Sequence, residues 1–160
     1  LEEQSPYAPR TQVAKGNVSS RGYITLLSGG AEGGAVISFY TNSSTPQNLN
    51  NTEVLLNPDD YPGAKFYLET VCRAGTPGEA SRTLIMDLYD VTGGSVVANG
   101  TVTTSTAEGA AGPGALVRAR STTDFRPYMA RGDRTYILRY NNNGGTLFVD
   151  VYEARLIVDF

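Results

Sequence analysis

The stretch RTYILRYNNNGGTLFVDVYEARLIVDF (134–160) decides the fold class of this chain. In its last part, EARLIVDF (153–160), the even-numbered residues are all apolar, and the odd-numbered ones are charged except for Ile157. A period of two is typical of a β-strand that buries one face and leaves the other in water. The end of the chain therefore predicts a half-buried strand.

The preceding residues of the same stretch predict two more strands. TYILRY (135–140) and TLFVDVY (146–152) are rich in β-branched and aromatic residues, and NNNGG (141–145) between them is a turn signal. The β character continues without a break from Tyr152 into Glu153. We therefore expect a bulge or bend there, or one long strand that changes partner.

Two stretches in the middle of the chain have the same period. AKFYLETVCR (64–73) places Cys72 on its apolar face, where a thiol behaves as a small hydrophobic group. RTLIMDLYDV (82–91) points its leucines and methionine inward and Asp87 outward. The Gly93-Gly94 pair that follows predicts a turn.

The Asn99-Gly100 pair predicts a type I′ hairpin, because both residue types accept positive φ angles. We expect strands near 94–98 and 101–105 to pair across it. AEGAAGPGA (107–115) is too rich in glycine for a helix and predicts a mobile loop.

The remaining signals are also β-like, at LVRARS (116–121), GYITLLS (22–28), AVISFY (35–40) and NTEVLLN (51–57). No stretch repeats apolar residues at helical spacing over a useful length. The sequence thus predicts an all-β fold: an antiparallel two-sheet β-sandwich, jelly-roll-like, over 22–160. An immunoglobulin-like sandwich is the second choice, since its Cys and Trp pattern is absent.

Residues 1–21 differ from the rest and predict an extended N-terminal arm. The arm is polar and cannot bury enough apolar surface to offset its own ordering entropy, so it needs a surface to hold it. We expect its backbone to add to a sheet edge. Its spaced apolar side chains would then fill pockets; they are Leu1, Tyr7, Val13 and Val18.

Composition excludes several functions. The net charge is −3, from 13 basic and 16 acidic residues without a basic stripe, which argues against nucleic acid as a partner. No apolar run reaches the ~20 residues of a membrane-spanning helix. With no histidine and one cysteine, neither a Ser-His-Asp triad nor a His- or Cys-ligated metal site can be built. We expect no cofactor and no enzyme activity.

Carboxylate chemistry is the one enzyme mechanism that this composition allows. The strand-borne acids, with tyrosines near them in sequence, are Glu69, Asp87, Asp150 and Glu153, beside Tyr67, Tyr89 and Tyr152. We interpret them instead as solvated residues of an outer sheet face.

A weak calcium candidate lies in NPDDYPGAK (57–65), where Asn57, Asp59 and Asp60 could offer oxygens. A turn held by side-chain hydrogen bonds is the simpler interpretation. We likewise interpret Arg131-Gly132-Asp133 as ordinary turn chemistry before a strand.

Four N-x-S/T sequons favour secretion and glycan attachment, at Asn17, Asn42, Asn50 and Asn99. Because the sequence begins with Leu1 rather than methionine, we also expect that a signal peptide has been removed. Both features predict an extracellular or cell-surface location, with a virion surface as the alternative.

The last two thirds of the chain resembles the jelly-roll modules of self-assembling extracellular filament subunits and virion surface or decoration proteins. The resemblance is carried by KFYLETVCR, RTLIMDLYDVTGGSVV, ALVRARS and the final 27 residues quoted above, within 64–160. It implies a structural subunit that assembles with copies of itself into a pilus-like filament, each arm joining a neighbour's sheet edge. Alternatives are a virion decoration or capsid-surface protein and a carbohydrate-binding module.

Overall fold

The computed structural model describes residues 21–27, 37–41, 44–75, 83–105, 116–142 and 147–160. Within these ranges the chain forms ten β-strands and two single-turn 3₁₀ helices, Pro58–Asp60 and Arg126–Tyr128. Neither of these short helices could span a membrane, and the described residues contain no other helix. The strands are β1 (Arg21–Leu27), β2 (Ile37–Thr41), β3 (Gln47–Asn48), β4 (Val54–Leu56), β5 (Lys65–Ala74), β6 (Thr83–Asp90), β7 (Ser95–Ser105), β8 (Leu116–Arg120), β9 (Arg134–Asn142) and β10 (Leu147–Asp159).

The strands form two antiparallel sheets. In the first, the β10 sheet, β10 pairs with β5 on one side and with β1 and β2 on the other, and β8 pairs with β5. In the second, the β9 sheet, β9 pairs with β6 on one side and with β3 and β4 on the other, and β7 pairs with β6. Since β1 and β2 share one side of β10, they lie end to end, as β3 and β4 do along β9.

The pairing of the strands is nested. If each end-to-end pair counts as one strand, the first strand pairs with the last, the second with the seventh, the third with the sixth and the fourth with the fifth. This double Greek-key order of eight strands is the jelly roll. The predicted all-β, two-sheet, jelly-roll-like sandwich is therefore confirmed.

The core lies between the two sheets and follows from the alternation seen in the sequence. Leu68 faces the core beside Leu156, its partner in register on β10, and Leu88 does so beside Leu138 on β9. All four side chains are fully buried. Cys72 also faces inward, as predicted, and its Sγ lies 3.6 Å from Oγ1 of Thr104 on the opposite sheet.

β10 is one strand of 13 residues with a bulge. Its register against β5 shifts between Val151 and Glu153. On its other side the partner changes from β2, opposite 147–151, to β1, opposite 154–159. Both alternatives that the sequence leaves open at Tyr152 and Glu153, a bulge and a change of partner, are present together.

The hairpin predicted at Asn99-Gly100 is wrong. β7 runs through this pair and stays with β6 on both sides of it, with Val96 opposite Tyr89 and Thr101 opposite Asp87. The residues between form a bulge, in which Asn99 takes its positive φ of 66°. A local turn signal is here satisfied by a bulge, because the long-range pairing with β6 holds both flanks.

The turn predicted at Gly93-Gly94 is present and joins β6 to β7. The Asp90 carboxylate accepts a hydrogen bond from the Gly93 N–H at 2.7 Å, and the Asp90 carbonyl accepts one from the Gly94 N–H at 2.8 Å. Gly94 has a φ of +73°, which a side chain would strain.

Thr52 ties the segment between β3 and β4 to β9. Its hydroxyl donates to the Leu49 carbonyl at 2.6 Å and accepts from the Leu138 N–H at 3.0 Å, and the side chain is fully buried. The sequence predicts one short strand over 51–57; the structure has β4 there and, in addition, the two-residue β3, which is too short for a periodic signal.

Candidate interaction surface

The outer face of the β10 sheet carries a layer of charged and aromatic side chains. Alternation along each strand and the register between strands place these side chains side by side. Its cations outnumber its carboxylates; they are Arg21, Lys65, Arg73, Arg118, Arg120 and Arg155, against Glu69, Asp150, Glu153 and Asp159.

Glu69 is the centre of an ion-pair network on this face. Its Oε1 accepts from Nη2 of Arg155 at 2.7 Å and from Nη1 of Arg118 at 2.8 Å. Glu153 lies farther from the same two guanidinium groups, at 3.4 and 3.6 Å. Burial lowers the pKa of Arg155, but its hydrogen bond to Glu69 and the charge of Glu153 oppose this and leave that pKa raised.

Arginines also lie over tyrosine rings on this face. The guanidinium carbon of Arg155 is 3.8 Å from the ring centroid of Tyr23, and that of Arg120 is 4.3 Å from the centroid of Tyr67. Stacking of this kind is attractive, since the ring face carries partial negative charge. Ile157 lies in register between the two tyrosines and is only 1% exposed, although it points away from the core.

The acids considered for carboxylate chemistry are divided between the two sheets. The outer face of the β10 sheet carries Glu69, Asp150 and Glu153, with Asp150 four residues along the sheet from Glu69, whereas Asp87 lies on the outer face of the β9 sheet. The prediction that they are solvated is wrong for Glu69, which is 8% exposed, and for Asp87, which is 9% exposed. Glu69 is shielded by Arg118 and Arg155, which pair with its carboxylate, and Asp87 accepts a hydrogen bond from the Thr101 hydroxyl.

The tyrosines predicted near these acids are divided in the same way. Tyr67 and Tyr152 lie on the β10 sheet, and the guanidinium carbon of Arg73 is 5.7 Å from the Tyr152 centroid. Tyr89 lies on the β9 sheet, where the guanidinium carbon of Arg139 is 4.3 Å from its ring centroid. The rings therefore hold arginines in place on both sheets.

The calcium candidate and the Arg-Gly-Asp tripeptide meet at one end of the sandwich. The Asn57 side chain accepts from the Asp59 N–H at 2.9 Å and so caps the first 3₁₀ helix. Asp59 pairs with Arg131 at 3.3 Å, and Asp60 is exposed. Within the described residues, no three acidic or thiol side chains group as a metal site. The calcium site at Asn57, Asp59 and Asp60 stays a prediction.

Most of the remaining sequence predictions concern residues outside the described ranges. Residues 1–20, with all four apolar arm residues Leu1, Tyr7, Val13 and Val18, lie outside them, as do the loop at 107–115 and the sequon residues Asn17 and Asn42. Arg21, the last residue assigned to the arm, is the first residue of β1. Asn50 and Asn99 are both exposed, and glycosylation there stays a prediction.

A depression of about 330 Å³ opens where β2 meets β10, which the sequence does not reveal. It is lined by Ser38 and Phe39 of β2 and by Phe148, Val149 and Asp150 of β10. The Ser38 hydroxyl donates to Oδ1 of Asp150 at 2.6 Å. Phe148 is half exposed. Ser38 and Asp150 are 112 residues apart, so only the strand register brings them together.

Two buried ionisable groups in the interior, the Cys72 thiol and the Tyr136 phenol, keep their protons at neutral pH. Burial raises the pKa of the Cys72 thiol, so it stays protonated. Burial, and next the charge of Asp90, raise the pKa of the Tyr136 phenol. The Tyr136 hydroxyl is buried and has no hydrogen-bond partner among the residues that the structure describes. The interior therefore contributes packing, and the outer faces are the candidates for interaction.

No protein-family model matches the sequence, and no curated protein matches it. Among solved structures, the chain is similar to one in the structure of infectious bursal disease virus, Gt strain, with a TM-score of 0.51 and 10% identity over 88% of this chain and 32% of that chain. For the structure of the Gx strain the TM-score is 0.47, with 11% identity over 90% of this chain and 32% of that chain. For the crystal structure of the VP2 subviral particle of the same virus the TM-score is 0.45, with 10% identity over 89% of this chain and 32% of that chain.

This chain thus spans about a third of the length of each of those three chains. At 10% identity, the similarity to the Gt strain structure shows a shared fold, a jelly-roll sandwich of the kind found in a virus particle.

Proposed function

We propose that this chain is a non-enzymatic structural module that assembles with copies of itself at the surface of a virus particle. The observation that carries the proposal is the complete jelly-roll order of the strands, together with its similarity over 88% of the chain to part of a chain from infectious bursal disease virus. The extracellular filament predicted from the sequence has only the sequence features in its support.

Two features of the described surface support self-assembly: the residue types on the outer face of the β10 sheet and the edge strands of both sheets. The outer face of the β10 sheet holds arginines and tyrosines, the residue types enriched at protein interfaces. The outer backbone edges of β1, β2 and β8 in one sheet, and of β3, β4 and β7 in the other, lie at the ends of the strand order. Exposed edges are templates for pairing with another chain.

We further propose that the arm, residues 1–20, is the connector that adds to one of these edges on a neighbouring copy. Apart from two alanines and two prolines, the apolar side chains of residues 1–20 are those of Leu1, Tyr7, Val13 and Val18. These four side chains would anchor the arm. A head-to-tail contact of this type closes into a ring or shell if the rotation allows it.

The experiment compares the full chain with two arm variants by analytical ultracentrifugation and electron microscopy. One variant changes Leu1, Tyr7, Val13 and Val18 to serine. The matched control changes four polar arm residues, Gln4, Thr11, Gln12 and Ser19, to alanine. We expect the full chain and the control to form closed particles of defined size, and the serine variant to remain a folded monomer.

Three results would contradict parts of the proposal. A full chain that stays monomeric at high concentration rejects self-assembly by this module. Long fibres in the micrographs would favour the filament instead of the particle. Equal assembly of the serine variant and the control would show that the arm is not the connector.

A further inference from the structure

We propose that the depression between β2 and β10 is a binding site for a neutral hexopyranose unit of a glycan. The site combines a half-exposed aromatic ring, Phe148, with the carboxylate of Asp150, which accepts from the Ser38 hydroxyl at 2.6 Å, in about 330 Å³ of space. This inference goes beyond the assembly role and does not depend on it, because one copy of the chain carries all three groups.

Phe148 supplies the apolar surface of the site. It occupies an outward-facing position of β10 and is 50% exposed, among the highest values of the large hydrophobic side chains on the two sheets. A pyranose ring has one face of C–H groups that is flat enough to lie on a phenyl ring. Contact between the two removes apolar area of both from water.

Asp150 supplies the hydrogen-bond acceptors. An ionised carboxylate accepts about four hydrogen bonds, and Ser38 donates one of them. The remaining capacity suits two neighbouring sugar hydroxyls, since charge-assisted O–H···O⁻ bonds are the strong ones. The Ser38 hydroxyl holds the carboxylate in position and has lone pairs of its own for a ligand O–H.

Arg73 adds a hydrogen-bond donor on the far side of Asp150. The register places it directly opposite Asp150 on β5, with its guanidinium carbon 5.7 Å from the Tyr152 ring centroid. Three strands thus present donors and acceptors in one row, from Ser38 through Asp150 to Arg73, and Phe148 lies on the same face two residues before Asp150. A polyhydroxylated ligand satisfies such a row, whereas an aliphatic ligand would leave its polar groups unpaired.

The charge and size of the depression restrict the ligand further. The charges of Asp150 and Arg73 balance each other, and an anionic sugar in contact with the Asp150 carboxylate would be repelled, so the site favours a neutral sugar. Its volume is at the lower end of the range of about 300–1,000 Å³ for small-molecule sites. The site therefore suits a single neutral sugar residue, bound at its open end so that a longer glycan can continue outward.

The experiment records amide ¹H–¹⁵N spectra of the full chain during titration with methyl glycosides of glucose, galactose, mannose and N-acetylglucosamine. N-acetylneuraminic acid serves as the anionic comparison. We expect millimolar binding of at least one neutral sugar, with shifts confined to residues 37–39, 73 and 147–151.

Two variants and a matched control test the roles of the side chains. Phe148→Ala and Asp150→Asn should each weaken the binding by about tenfold. Tyr128→Ala is the control, because Tyr128 is an equally exposed aromatic residue (56%) on the second 3₁₀ helix, outside the depression. It should bind the sugar as the wild type does.

Thermal melting of all three variants separates a loss of binding from a loss of folding, and Phe148→Leu provides a variant that keeps the apolar volume without the flat ring. The proposal is overturned if no neutral sugar shifts these resonances, if Phe148→Ala and Phe148→Leu bind as the wild type does, or if the anionic sugar binds more tightly than the neutral ones.

Discussion

The interior between the sheets and the outer face of the β10 sheet are built from the same strands in two different ways. Inside, β5 and β10 present apolar side chains that pack against the β9 sheet. Outside, they present charges and tyrosines, yet Glu69 is only 8% exposed and Ile157 only 1%. Burial on the outer face comes from neighbouring strands of the same sheet, and burial inside comes from the opposite sheet.

The difference lies in what each surface requires of its neighbours. Apolar burial is non-directional, so the interior needs residues of suitable size on both sheets. An ion-pair network needs specific atoms at specific distances, and the Glu69 carboxylate obtains them from β8 and β10. The interior therefore tolerates conservative changes, whereas the outer face depends on its register.

The largest expected effect is in the interior. Phe66→Ala removes a fully buried ring that makes edge contacts with Tyr61 and Phe125 at centroid distances of 5.5 and 6.1 Å. We expect the free energy of unfolding to fall by about 3–5 kcal/mol, from lost burial plus the cavity left behind. Urea denaturation measures it, and a loss below about 1 kcal/mol would show that the core is not packed as described.

The ion-pair network should give the next largest effect. Glu69→Gln keeps the size of the side chain and one acceptor oxygen but removes the negative charge that pairs with Arg118 and with Arg155, whose side chain is 23% exposed. We expect a loss of about 1–3 kcal/mol in the free energy of unfolding. Glu153→Gln is the matched control, because its contacts are longer and it is more exposed. Equal losses in both variants would place the centre of the network elsewhere.

Tyr136 should show a smaller effect of opposite sign. Tyr136→Phe removes a buried hydroxyl that has no hydrogen-bond partner within the described ranges, so we expect a gain of about 0.5–1.5 kcal/mol at pH 7. Because the phenol pKa is raised in the folded state, its proton is held there after the unfolded chain has lost its own.

The resulting pH dependence has a definite direction. Relative to the ionised phenolate, the protonated Tyr136 favours the folded state; this difference is fully present below the unfolded pKa of about 10 and is lost as the pH rises through the higher folded value. Urea denaturation from pH 7 upward should show this loss in the wild type and a shallower one in Tyr136→Phe. Identical pH profiles would mean that other groups, Cys72 first among them, account for the alkaline loss.

The smallest effect is expected at the exposed pair of Arg131 and Asp59. Arg131 has a side chain 87% exposed and lies 3.3 Å from the carboxylate. Surface pairs of this kind contribute about 0–1 kcal/mol, so Arg131→Ala should leave the denaturation midpoint nearly unchanged. A loss as large as that of Glu69→Gln would show that exposure to solvent does not weaken an ion pair in this protein.

Sequence periodicity predicted the interior well, since a period of two is a property of each strand alone. The alternation of 64–73 and 153–160 predicts which of their residues face inward, and it predicts the burial of Cys72 as well. The order of the strands in the sheets cannot be predicted from this periodicity. Nothing in β1 indicates that its partner is β10, where even the nearest paired residues, Leu27 and Ala154, are 127 positions apart.

The errors have the same origin. Asn99-Gly100 has the composition of a hairpin turn, and only the pairing of β6 on both sides of it shows a bulge instead. Glu69 has the position of a solvated residue, and only the approach of β8 and β10 shields it. The depression at Ser38 and Asp150 likewise exists only through the register of β2 and β10. Features that need two distant strands are invisible to a local pattern.

The nested pairing also determines when the fold can be completed during synthesis. The innermost hairpin, β6 with β7, is available as soon as both strands have left the ribosome. β10 is made after all of its partners, yet it is the strand that joins β1, β2 and β5 into one sheet. Until then β5 and β1 have no common neighbour. Such long-range closure makes folding slow, and the β10 sheet stays unassembled until the end of the sandwich has been synthesised.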